Sequence, residues 1–269
     1  MTTSAPEPVG PSSAVSPARA AGLRLFWQPG CSSCVKVKEM LAELGVPFTS
    51  VNILKHDDAM DVMREFGARA VPVLIRGNDM IFAQSLEDVA AFVGRDRHAK
   101  RLSLDELITR WQYFLSTALV LIDQIPADRL TEHPVPGRDR TVCSLAYHIF
   151  QVPEGFLSVV DGDAVDSRLI DNAHYAHLQT KEQILAYATS IIERLQTWWR
   201  DSADKTGVRQ FETYYGVQPL HQMLDRATWH SAQHTRQLNT VLDGYAIAVR
   251  GGIDPAAYIG LPMPKAVWE

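Results

Sequence analysis

Two cysteines three apart, Cys31 and Cys34, and two histidines four apart, His230 and His234, are the residues of this chain whose types and spacing can do chemistry. Cys31-Ser-Ser-Cys34 follows the apolar run 23–27 and a Gln28-Pro29-Gly30 turn, and it precedes a helical pattern. A strand, turn and helix in that order put Cys31 at a helix N-terminus, where unpaired N–H groups and the helix dipole favour a thiolate. Cys34 lies one helical turn further on, within reach of a mixed disulfide formed at Cys31. Half of a zinc site is the alternative reading, but it needs further ligands and the chain has no second CxxC. Residues four apart share a helix face, so His230 and His234 can point at one ion. The same spacing suits two ordinary surface or core histidines, and the Glu that zinc proteases place within it is absent. His148 stands on the apolar stretch 142–149, where a lone histidine is ordinarily a hydrogen-bonded core residue.

The elements around the cysteines are short. Apolar strands at 23–27, 48–54 and 70–75 alternate with helices at 35–44 and 57–66, and a last helix at 86–93 is capped by Ser85, with Asp88 at capping-box spacing. This β-α-β-α-β order, with Pro72 opening the third strand, resembles the glutaredoxin branch of the thioredoxin superfamily over residues 22–94. The resemblance implies an α/β thioredoxin-like fold, with Cys31 as nucleophile and Cys34 as resolving thiol. It also implies a cis bond before Pro72, Val71 and Pro72 in the substrate groove, and glutathione or a similar low-molecular-weight thiol as partner. A strand-edge proline is the plain reading of Pro72. Ser85 would contact the thiol's carboxylate or amine, beside its plainer role as a helix cap. Two departures stand out: Ser-Ser replaces the frequent Pro-Tyr between the cysteines, and 82–88 lacks the Gly-Gly of the usual glutathione-binding turn.

From residue 103 the pattern changes to long helical periods, at 103–124, 141–160, 181–200 and 219–242, which predict an all-α four-helix bundle. The long connection 161–180 crosses the bundle or covers a site, and Pro153 is expected to kink the second helix. A polar turn leading to His148, then His230, His234 and the pair Arg236-Gln237 on the last helix, resemble the DinB family of metalloenzyme bundles over 103–245. That resemblance implies that His148, His230 and His234 bind a divalent metal. It also implies a thiol-dependent transferase or isomerase and a possible homodimer. Three neutral imidazoles suit zinc or nickel and leave coordination positions open. His174 and His177 fall in the crossover loop, His221 lies off the His230/His234 face, and His56, His98 and His133 read as surface positions. Trp111, Trp198, Trp199 and Trp229 read as core or rim, and Cys143 as a buried small residue.

With 269 residues and 46% hydrophobic content the chain can bury two cores. The expected divisions are a disordered tail at 1–21, the α/β domain at 22–95, a linker at 96–102, the bundle at 103–250 and an extended segment at 251–269. A net charge of −5 gives no reason to expect nucleic acid, and the basic stretch 95–101 is broken by Asp96. Three cysteines, no secretory leader and no long apolar run predict a cytoplasmic protein without a membrane span. Together the two halves predict a metal-dependent enzyme that uses a small thiol on a small electrophile, with the CxxC handling disulfides of that thiol. The alternative is a redox-regulated sensor or protein-disulfide oxidoreductase in which the bundle is structural or a docking module.

Overall fold

In the computed structural model, residues 16–97, 100–162 and 175–268 are described. The first domain orders its elements as β1 (Leu23–Trp27), α1 (Ser32–Glu43), β2 (Thr49–Asn52), α2 (Ala59–Glu65), β3 (Val73–Arg76), β4 (Asp79–Phe82) and α3 (Leu86–Phe92). The sheet runs β2-β1-β3-β4, with β1 parallel to β2 and antiparallel to β3. Successive side chains on a strand face opposite sides, so Leu25 and its partner Leu74 pack with Val37, Leu41 and Val89 of α1 and α3. Phe26 and its partner Val73 pack on the other face, with Val62 and Met63 of α2. The strand β4 is an addition to the sequence-based order. It follows a two-residue Gly77-Asn78 turn, and Gly77 adopts φ 59°, the left-handed conformation that such hairpins require.

The long helices are α4 (Leu104–Asp123), α5 (Val142–Val160), α6 (Lys181–Asp201) and α7 (Leu220–Gly244). Ser103, Thr141 and Thr180 cap the first three through side-chain oxygens, and Ser103 and Thr180 complete capping boxes with Glu106 and Gln183. Helix α5 runs through Pro153 to Val160. The core between the helices is built on Trp111, Phe114, Phe150, Leu195 and Trp229, while Trp198 and Trp199 are half-buried at its rim. Trp111 Nε1 donates to Ser231 Oγ across the bundle at 2.9 Å. A hairpin of β5 (Gln210–Thr213) and β6 (Gly216–Pro219) precedes α7, where the sequence predicts only a connection. Among the described residues no helix is long and apolar enough to cross a membrane.

One segment corrects the expected tail. Residues 16–21 are seated on the first domain: Pro17–Arg19 form a 3-10 turn, Ala18 is wholly buried, and the Arg24 guanidinium donates to the Ala18 carbonyl at 2.5 Å. An Ala- and Pro-rich sequence gives no periodic signal, so this anchoring comes from partners in the sheet. The C-terminal segment is extended apart from the turn Pro255–Tyr258, and it straps the domains together. Glu39 of α1 accepts from the Lys265 and Ala266 amides, and Gln233 of α7 donates to the Ala266 and Val267 carbonyls.

Candidate metal and thiol centre

Helices α5 and α7 bring His148, His230 and His234 together, with one nitrogen of each within 4.8 Å of the others. His234 Nε2 lies 2.9 Å from His230 Nε2. The second nitrogen of each ring is held by another side chain. His148 Nδ1 faces Gln151 Oε1 at 2.5 Å, His234 Nδ1 faces Gln237 Oε1 at 2.7 Å, and His230 Nδ1 faces Ser33 Oγ at 3.3 Å. Gln237 Nε2 donates to the Val267 carbonyl, which turns its oxygen toward His234. Amide oxygens only accept, so Gln151 and Gln237 put the protons of His148 and His234 on Nδ1 and leave their Nε2 lone pairs facing inward, whereas the Ser33 hydroxyl can donate to or accept from His230 Nδ1. Burial holds all three imidazoles well below the usual histidine range, and the Arg140 guanidinium adds to this, after Arg226 for His230 and after the other two imidazoles for His234. The 2.9 Å approach of the two Nε2 atoms is met either by a proton on His230 Nε2, with Ser33 donating to Nδ1, or by a cation between two lone pairs. The donor set therefore fits a divalent metal ion, with its outer contacts already in place.

The cysteine pair lies directly over this triad. Cys31 is the N-cap of α1, its sulfur accepting from the Cys34 amide at 3.2 Å, and it is joined to Cys34 in a disulfide. Helix α1 thus begins at Ser32, three residues before its apolar periodicity does. The two serines between the cysteines are buried against α7. Ser33 contacts His230, and Ser32 Oγ lies 3.4 Å from His234 Nε2. Gly30, at φ 68°, packs so closely on the bundle that a Cβ there would stand 2.8 Å from Val135 Cγ1. Arg138 and Arg140 donate to the Pro29 and Gly30 carbonyls, at 3.1 and 3.5 Å.

Between the domains opens a cavity of about 520 Å³ whose walls include Cys31, Val71, His148 and His230. Cys34 is wholly buried behind the accessible Cys31. The Val71–Pro72 bond is cis, and the Val71 carbonyl accepts from Gln84 Nε2 at 3.2 Å. Gln84 Oε1 is itself gripped by Arg226 of α7, at 2.6 Å from Nη2. Ser85 sits apart from this space: it is buried, and its hydroxyl accepts from the Asp88 amide as the cap of α3. The Asp88 carboxylate does not return the capping bond; it accepts from Gln218 Nε2 at 2.6 Å.

The remaining candidates scatter. His221 Nε2 donates to the Leu102 carbonyl, His133 pairs with Asp139, His56 is half-buried and His177 is exposed. His98 and His174 fall outside the described residues. Cys143 is buried, its thiol donates to the Leu178 carbonyl at 3.0 Å, and burial pushes its pKa up. Sequence reasoning missed Gln151, Arg138, Arg140 and Arg226, and the partnership of the two serines with the triad. A signal for the glutamines existed: His148 and His234 are each followed three residues later by Gln, on the same helix face.

Residues 23–81 match the family model for glutaredoxin, and residues 106–238 match that of the DinB superfamily. No curated protein and no solved structure matches the chain.

Proposed function

We propose that this fusion of a glutaredoxin domain to a DinB-superfamily domain is a metal-dependent enzyme using a low-molecular-weight thiol, with glutathione favoured, on a small electrophile. The observation that carries the reading is one cavity lined by Cys31 together with His148 and His230 of the triad. Its volume is that of a small-molecule site. A divalent ion, zinc or nickel from the all-imidazole donor set, would supply Lewis-acid charge that favours the thiolate of the bound thiol.

His148, His230 and His234 would hold that ion, with Ser33, Gln151 and Gln237 orienting the rings. In the dithiol state, the Cys31 thiolate attacks the sulfur of a mixed disulfide of the small thiol; the old S–S bond breaks and one thiolate leaves with the electron pair. Cys34 then attacks Cys31, closing the Cys31–Cys34 disulfide and releasing the second thiol. Two further molecules of the small thiol, oxidised to their own disulfide, return the pair to dithiol. The burial of Ser32 and Ser33 against α7 disfavours a folded protein as the disulfide substrate.

The test is metal analysis with a glutathione-conjugation and disulfide-exchange screen on the full chain. His230→Ala should lose metal and conjugation, and Cys31→Ser should keep metal while losing exchange. Conjugation and metal content both unchanged in His230→Ala would refute the reading. The alternative, a redox-regulated sensor, draws on the Ser33–His230 contact, and it requires a closed metal shell, whereas the cavity here opens onto two of the three histidines.

A further inference from the structure

Among the described residues, the charged side chains facing the cavity are four arginines, Arg69, Arg138, Arg140 and Arg226, against one carboxylate, Asp139. On a chain of net charge −5 this is a concentration of the minority sign. Their commitments differ. Arg226 is spent on Gln84 and stacks on Tyr215, with its guanidinium carbon 5.2 Å from the ring centroid. Arg69 is exposed at the rim. The Asp139 side chain is 96% exposed and pairs with His133, so it neutralises neither neighbour. That leaves Arg138 and Arg140.

Arg140 is only 7% exposed, yet among the described residues no carboxylate pairs with it or with Arg138. Each gives one N–H group to a carbonyl of the cysteine loop, out of the five that a guanidinium carries. Burial pushes Arg138 down to about 10 and, with Arg138 beside it, Arg140 down to about 9. Both remain cationic at neutral pH, so among the described residues two desolvated charges stand uncompensated beside the histidines. A guanidinium's planar fork matches a carboxylate with two parallel hydrogen bonds.

A second observation concerns the glutaredoxin side. The turn 82–88, where the resemblance would place the thiol's own anchoring, is already occupied: Gln84 is held by Arg226 and Asp88 by Gln218. A carboxylate-bearing ligand must be anchored elsewhere in the cavity.

We propose that Arg140 and Arg138 form a carboxylate subsite on the bundle wall, which holds the acid group of a small molecule so that its reacting end lies between Cys31 and the triad. The substrate class is thereby an organic acid. The carboxylate comes either from the thiol or from its electrophilic partner. This deepens the proposed reading of the same cavity and rests on it for what reacts there, but binding requires neither metal nor turnover.

The test is titration of full-length, metal-stripped protein with S-methylglutathione, its diethyl ester and the thiol-free diacid glutarate. S-methylglutathione has no thiol to exchange, so redox chemistry cannot contribute. The acid should bind at least about tenfold more tightly than the ester, as expected for a charge-assisted pair. Arg140→Gln should erase that preference by weakening the acid while leaving the ester unchanged, which a merely structural role would not do. Glutarate binding as well as S-methylglutathione would assign the carboxylate to the electrophile; binding of S-methylglutathione alone would assign it to the thiol. If Arg140→Gln fails to fold, the wild-type acid-to-ester ratio and Arg138→Gln decide. Equal binding of acid and ester, a preference surviving in the variants, or no binding by any probe would overturn the inference. Failure of the proposed enzyme reading would look different: the acid preference would persist with no conjugation or exchange.

Discussion

Replacing Ser33 by alanine isolates the contact through which the first domain reaches the three histidines. Ser33 Oγ is the partner of His230 Nδ1, so Ser33→Ala leaves a buried imidazole nitrogen without a side-chain partner and frees the ring to rotate. Loss of an outer partner of this kind costs about 10- to 100-fold in metal affinity. The Ser33 contact is 3.3 Å, against 2.7 Å for Gln237 on His234 and 2.5 Å for Gln151 on His148. Ser33→Ala is therefore placed near about tenfold, or about 1.4 kcal/mol, and Gln237→Ala nearer about a hundredfold. Competition for zinc against a chromophoric chelator, with the disulfide intact, measures both. The reasoning fails if Gln237→Ala weakens zinc binding while Ser33→Ala leaves it unchanged, for the serine would then be a packing residue only. Loss of affinity in Ser33→Ala with an unaltered melting temperature of the metal-free protein would separate orientation from folding.

Acid should destabilise the metal-free protein. The three imidazoles are neutral in the folded state and their folded pKa values are depressed. Below about 6.5 the unfolded chain binds more protons, so stability falls as pH falls, by up to about 1.4 kcal/mol per pH unit for each histidine. Urea unfolding between pH 8 and 5 should show this slope reduced by about a third in His148→Gln; an identical slope would refute it. Gly30→Ala meets both a positive φ of 68° and a contact of 2.8 Å with Val135, so it should cost about 2–4 kcal/mol in denaturant unfolding. A loss below about 0.5 kcal/mol would mean that the domains do not pack there as described. Cys143, buried with its pKa raised, should resist a thiol reagent in the native oxidised protein and react on unfolding. Native labelling would show that its helix opens locally.

Much of the architecture is written in local pattern. The four long helices follow from apolar periodicity and from caps that are short-range side-chain chemistry, as at Ser103, Thr141 and Thr180. Two shorter elements escaped. Strand β4 is a four-residue piece, half-buried throughout beyond its exposed first residue, and β5–β6 has a polar, exposed face, so neither carries a strong alternation. The pairing of His230 with His234 is likewise local, since four residues is one turn of helix. Adding His148 took a resemblance, because no local rule relates positions on different helices.

What the sequence determined by itself is the inventory: a CxxC at a helix start, a histidine pair on one helix face, and two domains of different periodicity. What only the tertiary structure decided is that these belong to one place. Ser33 and His230 are 197 residues apart, Ser32 and His234 are 202, and Arg140 and Gly30 are 110. Such contacts depend on how two finished surfaces fit, and surface fit has no period along the chain. The departure from Pro-Tyr to Ser-Ser, which weakened the resemblance in the sequence, has its physical reason in that fit. Two small hydroxyl side chains let α1 close on α7 and place oxygen atoms against the rings of His230 and His234.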